Sequence, residues 1–276
     1  MATRIFVPCD SSALALGADE VASAIAAEAA KRQLDIQIVR NGTRGLLWLE
    51  PLVEVETAAG RMGYGAVEAD AVAALFDADF HLGASKHSAS IGAVEEYPYL
   101  KKQQRLTFAR TGITDPLSLS DYEAHGGYAG LRRALELDGK SIVDCLIESG
   151  LRGRGGAAFP TGVKWKTVLN TAAQQKYVVC NADEGDSGTF ADRIVMESDP
   201  FVLIEGMTIA AIAVGASKGY IYVRSEYPHA IATLNAAIAC AYEHGYLGAN
   251  LLNSGKHFDL EVRKGAGAYI CGEETA

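Results

Sequence analysis

Cysteine is scarce and scattered in this sequence. The 276 residues include five cysteines, an odd number, and no two of them form a Cys-x-x-Cys pair. Such spacing argues against a disulfide framework, and it offers no recognisable ligand set for zinc or an iron–sulfur cluster. We therefore expect no metal site within this stretch. The five are Cys9, Cys145, Cys180, Cys240 and Cys271. Cys145 and Cys240 are expected to be small buried residues of helices.

Long hydrophobic runs and a basic excess are also missing. The longest apolar run, 206–214, is much shorter than the roughly 18 residues that a membrane span needs, and the N-terminus has no apolar signal core. Lysine and arginine number 25 against 34 aspartates and glutamates, which gives a net charge of −9 and opposes nucleic-acid binding. Hydrophobic residues make up 49% of the chain, with only seven prolines, as is typical of packed domains. We expect a globular cytoplasmic protein that neither spans a membrane nor binds nucleic acid.

Glycine, in contrast, is concentrated in three loops. Residues 150–165 read Gly-Leu-Arg-Gly-Arg-Gly-Gly-Ala-Ala-Phe-Pro-Thr-Gly-Val-Lys-Trp, residues 180–188 read Cys-Asn-Ala-Asp-Glu-Gly-Asp-Ser-Gly, and residues 265–274 read Gly-Ala-Gly-Ala-Tyr-Ile-Cys-Gly-Glu-Glu. Glycine lets backbone N–H groups approach an anion or a flat ring. The first loop is cationic, and the other two carry carboxylates that suit ribose hydroxyls. Together they predict one nucleotide site.

The first loop contains Gly153-x-Gly155-x-x-Ala158, which is close to the dinucleotide fingerprint of Rossmann folds. That fingerprint must follow a strand and open a helix. Residues 141–150 are instead predicted to form a helix with Ser141 as its N-cap. This disfavours an ordinary Rossmann site here, and a glycine-rich connection with solvated arginines is the alternative for the motif taken alone.

The three loops, in this order, together with residues 199–207 (Asp-Pro-Phe-Val-Leu-Ile-Glu-Gly-Met), resemble a known family. It is the 51 kDa-type family of flavin- and NADH-binding subunits shared by respiratory complex I, NAD-reducing hydrogenases and soluble NAD-dependent formate dehydrogenases. The resemblance extends from about residue 100 to the last residue. It implies FMN bound without a covalent link, hydride transfer between NAD(H) and FMN, and electron transfer in single steps to iron–sulfur clusters. No catalytic acid or base is expected, because this hydride transfer depends on proximity.

The resemblance also assigns residues to each cofactor. FMN is expected to contact Gly153, Arg154, Gly155, Lys164, Asn181, Asp183, Tyr269, Gly272 and Glu273. NAD is expected to contact Gly156, Phe159, Glu184, Asp186 and Glu274. Phe159 would be the platform for the adenine ring, and Glu274 would accept a hydrogen bond from the ribose 2′-hydroxyl. The chain departs from the family at Asp186 (usually glutamate), Ser187 (proline), Thr167 (an aromatic residue) and Ala158 (glycine).

Strand and helix patterns predict an α/β protein. Residues 1–80 alternate strands and helices and resemble the thioredoxin-like [2Fe–2S] ferredoxin domain of a partner subunit in the same enzymes. The positions of its four cysteine ligands align with Cys9, Leu14, Thr43 and Leu47, so the domain is expected to lack a cluster. Residues 81–140 are interpreted as a connector. Residues 141–276 are interpreted as the N-terminal part of a Rossmann-like FMN/NADH-binding domain with parallel strands, predicted at 176–180, 218–224 and 258–263. A helix is predicted at 229–244, with an apolar stripe that faces the core.

The last residues are interpreted as the start of a helix, so we expect a longer chain whose further part carries a [4Fe–4S] cluster, as in the family. The fused N-terminal domain favours the beta subunit of a soluble NAD-dependent formate dehydrogenase. The alternative is the equivalent diaphorase subunit of a NAD-reducing hydrogenase or of complex I, and a third interpretation is an assembly module that has lost flavin. The expected partners are iron–sulfur subunits, one small with a [2Fe–2S] cluster and one large and catalytic.

Overall fold

The computed structural model describes residues 2–154, 156–186 and 188–267. The chain forms two compact units. The N-terminal unit comprises residues 1–118 with 197–199, and the C-terminal unit comprises 119–196 with 200–276. The expected connector is therefore divided at Ser118, and its two parts belong to different units. Among the described residues, no helix combines the length and apolar character needed to cross a membrane.

The N-terminal unit is built on a mixed five-stranded sheet in the order β2-β1-β3-β4-β5. β1 and β2 are parallel, and β3 is antiparallel to both β1 and β4. Its helices and strands in chain order are β1 (Thr3–Phe6), α1 (Ser11–Ala15), α2 (Ala18–Lys31), β2 (Ile36–Val39), β3 (Val53–Thr57), β4 (Gly60–Tyr64), α3 (Val72–Asp77), β5 (Ser90–Ala93) and α4 (Pro98–Lys101). Within residues 1–80, the strands predicted at 4–8, 35–40 and 52–56 and the helices predicted at 18–32 and 70–76 are confirmed, with ends shifted by up to two residues.

Helix α2 shows why the sequence pattern predicted the structure of this part of the N-terminal unit. It is rich in alanine, the strongest helix former, and acidic residues lie in its first turn while Lys31 lies in its last, as the helix dipole favours. Val21, Ile25 and Ala29 recur every four residues and are buried. This apolar stripe packs into the core of the N-terminal unit.

The positions aligned with the cluster ligands lie after β1, in α1 and in the loop after β2. Thr43 is buried, and its hydroxyl donates to Oε1 of Glu50 at 2.5 Å while accepting the Gly45 N–H at 2.9 Å. Burial raises the pKa of Cys9 to about 12, which keeps it a neutral thiol. In the structure, then, Thr43 belongs to a buried hydroxyl–carboxylate pair. The absence of a cluster stays a prediction.

Glu50 is expected to make the stability of the N-terminal unit depend on pH. Burial raises its pKa to about 7, opposed by the Thr43 hydroxyl and increased by the nearby charges of Asp10 and Glu54. Because the folded state binds this proton more tightly than the unfolded chain does, the contribution of Glu50 to stability falls as pH rises from about 4.5 to about 7. Glu50→Gln should remove this dependence, which amounts to roughly 3 kcal/mol across the window.

Denaturant unfolding at about pH 5 and about pH 7.5 gives the free energy of unfolding of wild type and variant. The effect is the change, between the two pH values, in the difference between these free energies. Glu20→Gln, on the exposed face of α2, is the matched control and should leave the pH profile unaltered. Parallel profiles for wild type and Glu50→Gln would show that Glu50 does not titrate in this range.

The C-terminal unit carries a parallel sheet in the order β6-β7-β8. Its helices and strands in chain order are α5 (Leu119–Ala124), α6 (Ala129–Leu135), α7 (Gly139–Glu148), α8 (Thr161–Asn170), β6 (Tyr177–Ala182), α9 (Ala191–Ser198), α10 (Pro200–Val214), β7 (Lys218–Val223), α11 (Pro228–Glu243) and β8 (Asp259–Lys264). The predicted strands at 176–180, 218–224 and 258–263 and their parallel pairing are confirmed, as is the helix that precedes the first glycine loop. The core-facing stripe predicted on α11 is also confirmed, since Leu234, Ala237 and Ala241 are fully buried.

Three details of this unit differ from the expectations. The N-cap of α7 is Asp138, whose carboxylate accepts the N–H of Ser141 at 2.7 Å, so Ser141 is the third helical residue. Cys145 was expected to be buried but is exposed, because α7 turns Ile142 and Val143 to the core instead. Helices α5 and α6 lie within residues 81–140, which carry few periodic signals in the sequence and were interpreted as a connector.

The segment 199–207, part of the family resemblance, has a structural role in the C-terminal unit. The buried carboxylate of Glu205 in α10 accepts hydrogen bonds from the Tyr122 hydroxyl at 2.5 Å, the Tyr128 N–H at 2.8 Å and the Leu131 N–H at 2.9 Å. These donors satisfy a charge that would otherwise be costly to bury. Glu205 thus fixes the start of α6 against α10.

Candidate nucleotide-binding site

The carboxyl ends of β6, β7 and β8 meet at one edge of the sheet, because the three strands are parallel and in register. The acidic loop, residues 183–189, leaves this edge after β6, and residues 265–267 leave it after β8. Open α/β sheets bind ligands at such an edge. Of the predicted site residues, five lie outside the described part of the chain: Gly155, Tyr269, Gly272, Glu273 and Glu274.

The first glycine loop folds back on itself between α7 and α8. The Gly153 N–H donates to the Phe159 carbonyl at 2.9 Å, and the Thr161 N–H donates to the Leu151 carbonyl at 2.9 Å. The Arg152 guanidinium braces the same loop by donating to the Ala158 carbonyl at 3.0 Å. Arg154 and Gly156 therefore lie at the tip of a hairpin-like loop.

A cavity of about 580 Å³ lies between this tip and the acidic loop. Its size is within the range of small-molecule sites. It is lined by Arg154, Gly156, Asn181, Asp183, Glu184, Gly185, Asp186, Thr189, Ala191 and Asp192. The structure thus brings together six of the nine described residues that the sequence assigned to the two cofactors, from loops about 30 residues apart in the chain.

The other three described residues lie outside the cavity lining. Gly153 lies in the pairing of the hairpin-like loop, where it bonds to Phe159. The Phe159 side chain is 55% exposed. This exposure is compatible with a role as a platform for adenine, and it is unfavourable for stability as long as no ring covers the side chain. Lys164 lies on the exposed face of α8. Their roles as cofactor contacts stay predictions.

Gly156 gives the cavity an open wall. Its φ is +95°, in the left-handed region that glycine adopts easily, and no atom lies within 4 Å of the place where a Cβ would stand. A flat ring can therefore approach the backbone at this residue. Ala158, where the family has glycine, also has a positive φ of +51°, which costs an L-residue roughly 1 kcal/mol.

The charge of the cavity is mostly negative. Asp183, Glu184, Asp186 and Asp192 line the cavity together with Arg154, and Asp183 is only 7% exposed. Burial raises the pKa of Asp192, and the nearby charge of Glu184 raises it further. Carboxylates accept hydrogen bonds from ribose or ribityl hydroxyls, whereas a guanidinium binds a phosphate. The arrangement fits a phosphorylated ligand that also carries several hydroxyl groups, as FMN and NAD do.

Glu184 uses its carboxylate within the protein. Oε1 accepts the Asp192 N–H at 2.7 Å, and Oε2 accepts the Arg193 N–H at 3.1 Å and the Tyr227 hydroxyl at 3.0 Å. Arg224 donates to the Glu184 carbonyl at 2.8 Å. Its direct contact with NAD therefore stays a prediction, and its observed partners are all protein groups.

Four residues around the cavity were not found from the sequence: Thr189, Asp192, Arg224 and Tyr227. Arg224 and Tyr227 lie just beyond the carboxyl end of β7. The rule that ligands bind at this edge of the sheet could have pointed to them. They carry no motif of their own, and no residue pattern distinguishes them from ordinary loop residues.

Comparison with known proteins finds a family model that matches part of this chain. Residues 146–276 match the family model described as the Nuo51 FMN-binding domain. The matched residues lie within 141–276, the stretch that was interpreted from the sequence as an FMN/NADH-binding domain.

Several curated proteins are similar over much of the same region. The chain is 52% identical over 176 residues to HndC, an NADP-reducing hydrogenase subunit of Solidesulfovibrio fructosivorans, which covers 64% of this chain and 36% of that protein. It is 55% identical over 165 residues to an NADH-quinone oxidoreductase subunit of Rhizobium meliloti, covering 59% and 39%. With the corresponding NADH-quinone oxidoreductase subunit of Escherichia coli the identity is 46% over 173 residues, covering 62% and 39%. The chain thus spans less than two fifths of the length of these relatives.

Among solved structures, a NAD⁺-reducing [NiFe]-hydrogenase in the H₂-reduced state aligns with 99% of this chain and 44% of its own, at 23% identity and a TM-score of 0.48.

Proposed function

We propose, from the match of residues 146–276 to an FMN-binding domain, that this chain is the flavoprotein subunit of an oxidoreductase that transfers hydride between NAD(H) and FMN. The observation that carries the proposal is the cavity at the carboxyl edge of the sheet. It combines a cation and an open glycine from one loop with an amide and several carboxylates from another. Two loops distant in sequence supply the groups that a flavin nucleotide and a dinucleotide require.

Residues of different charge in the cavity would bind different parts of the two cofactors. Arg154 would hold a phosphate group, and Gly156 would allow the nicotinamide ring to lie close to the backbone. Asn181 and Asp183 would accept hydrogen bonds from the ribityl chain and the flavin, while Asp186 would contact the dinucleotide. Asn181 already accepts the Asp183 N–H at 3.1 Å, which fixes the first turn of the acidic loop. When bound, FMN supplies the exchange between a two-electron hydride and single-electron carriers.

The wider assignment is the beta subunit of a soluble, cytoplasmic NAD-dependent formate dehydrogenase. The α/β sheet of the N-terminal unit supports a thioredoxin-like domain, and the buried Thr43–Glu50 pair occupies a position where a cluster ligand would be needed. The partners would be a small [2Fe–2S] subunit and a large catalytic subunit. The alternative is the equivalent diaphorase subunit of a NAD-reducing hydrogenase or of respiratory complex I. It is supported by the similarity to a hydrogenase subunit and to NADH-quinone oxidoreductase subunits.

The flavin assignment predicts a yellow protein. Purified full-length protein should show a flavin absorption spectrum with about one FMN per chain, and should reduce an artificial dye when NADH is added. A colourless protein whose thermal stability does not respond to FMN would remove this function.

The electron donor is tested on the native complex. Affinity-purified complex should reduce NAD⁺ with formate and not with hydrogen. The complex is needed because the proposed large catalytic subunit, and not this chain, would react with the electron donor. Reduction of NAD⁺ by hydrogen alone would favour the alternative, while leaving the NADH and FMN assignment intact.

A further inference from the structure

Two residues beyond the carboxyl end of β7 hold the acidic loop from outside the cavity. The Tyr227 hydroxyl donates to Oε2 of Glu184 at 3.0 Å and lies 3.2 Å from the Thr189 carbonyl. The Arg224 guanidinium donates to the Glu184 carbonyl at 2.8 Å. Tyr227 is 8% exposed, and the central carbons of the Arg224 and Arg193 guanidinium groups lie 5.1 and 5.6 Å from its ring centroid. Tyr227 and Arg224 therefore contact both ends of the loop.

Glu184 connects these residues to helix α9. Its carboxylate accepts the N–H groups of Asp192 and Arg193 in the first turn of the helix, where backbone donors lack partners within the helix. Glu184 also has a φ of +44°. A glutamate in this left-handed conformation is strained and persists only when its surroundings hold it there. Here the holding groups are Tyr227, Arg224 and the start of α9.

The neighbours of Glu184 explain why its conformation matters for binding. Asp183 and Gly185 flank it directly, and both line the cavity together with Asp186. A change in the backbone at Glu184 would turn the groups on either side of it, because the loop is anchored at β6 and at α9. The contacts of Tyr227 and Arg224 with the loop thus fix the direction of the ligand-facing residues.

Resting on the proposed function, we propose that Tyr227 is a positioning residue for the dinucleotide. Acting through Glu184, and assisted by Arg224, it holds the acidic loop in the conformation that binds NAD(H). Neither Tyr227 nor Arg224 lines the cavity. Their substitution should therefore alter dinucleotide affinity without removing a ligand contact.

Tyr227→Phe tests the role of the hydroxyl, since the ring and its packing are retained. Loss of a hydrogen bond to a charged group should weaken the binding of ADP-ribose, a dinucleotide fragment that cannot be reduced, by about tenfold. The KM for NADH should rise by a similar factor while kcat changes by less than about twofold, and FMN content should stay near one per chain. Binding is measured by the change in flavin absorption on titration of the purified full-length protein.

The matched control is Tyr242→Phe. The Tyr242 hydroxyl donates to Asp259 at 3.0 Å and accepts the Leu260 N–H at 3.1 Å, in the same unit but away from the cavity lining. Tyr242→Phe should lower the melting temperature by about as much as Tyr227→Phe does, and it should leave ADP-ribose affinity unchanged. Arg224→Met, which keeps the aliphatic stem and removes the donor to Glu184, is a second variant that should also weaken ADP-ribose binding.

A double-mutant cycle separates positioning from direct contact. If Tyr227 acts through Glu184, the combination with Glu184→Gln should weaken binding no more than the stronger single variant does. Unchanged affinity in Tyr227→Phe and Arg224→Met, or fully additive effects of Tyr227→Phe and Glu184→Gln, would overturn the proposal and leave Glu184 as a direct ligand. A wild-type protein that holds FMN but binds no ADP-ribose removes both this role and the proposed function, and it is recognised before any variant is made.

Discussion

Replacing Arg44 with alanine is expected to destabilise the N-terminal unit by about 3–5 kcal/mol. The Arg44 guanidinium donates from Nε and Nη2 to the two carboxylate oxygens of Glu54, each at 2.8 Å, and the two side chains are 4% and 1% exposed. A third nitrogen, Nη1, donates to Glu95 at 2.7 Å. Without Arg44, the ion pair that remains to Glu54 among the described residues is the longer contact with Arg61 at 3.3 Å. The loss therefore reflects an uncompensated buried carboxylate more than a missing attraction.

Hydrogen exchange of the β1 and β3 amides in the full-length protein measures this effect within the N-terminal unit alone. Arg4→Ala is the matched control, because its contact with Glu56 at 3.4 Å is exposed and should be worth less than about 1 kcal/mol. Adding Glu54→Leu to an Arg44→Met background should recover much of the loss, since the unpaired charge is then gone. Equal losses for Arg44→Ala and Arg4→Ala would contradict this account.

The sequence predicted those parts of the fold in which local pattern and tertiary environment agree. Helices α2, α10 and α11 carry long apolar stripes or runs, and strands β6 to β8 alternate with helices at regular spacing, so their type and parallel pairing could be inferred. Strands β4 and β5 were missed because glycine interrupts them at Gly63 and Gly92, and because their pairing depends on a hairpin that places β4 beside β3, with β5 then pairing with β4.

Tertiary contacts explain the remaining differences. Helix α6 has seven residues and little pattern of its own, and its first turn depends on the carboxylate of Glu205, which is more than 70 residues away in the chain. The Arg44–Glu54 pair was not predicted either, because each residue taken alone is typical of the surface. Such partners become visible only once the sheet brings them together.

The loops of the candidate site could be recognised in the sequence by their glycines and charged residues. The family resemblance assigned Arg154, Gly156, Asn181 and Asp183 to the cofactors, and strand order places the acidic loop at the carboxyl edge of the sheet. The residues that support the loops were missed. Tyr227 acts through its hydrogen bonds, and a tyrosine after a strand has no pattern that separates it from a packing residue.

Replacing Arg154 with alanine is expected to weaken FMN binding by about 10- to 100-fold and to yield protein that is largely free of flavin. Among the described residues that line the cavity, Arg154 is the one cation, and four acidic residues line the cavity with it. Its removal would take away the group that can hold a phosphate and would leave a negative field that repels one. The loss should therefore exceed that of an ordinary hydrogen bond, and it should be partly restored in Arg154→Lys, which keeps the charge and loses the planar fork.

Flavin absorption gives the stoichiometry of the purified variants, and fluorescence titration of FMN into the apoprotein gives the dissociation constant. Arg133→Ala is the control of equal charge. Arg133 lies on the exposed face of α6, where it pairs with Glu136 at 2.9 Å, so its loss should leave FMN affinity within about twofold of wild type. The difference between the two variants should shrink as salt is raised if the field of the cavity contributes, since added ions screen it. Stoichiometric FMN in Arg154→Ala at unchanged affinity would mean that the phosphate is bound elsewhere, and the assignment of the cationic loop to FMN would then be wrong.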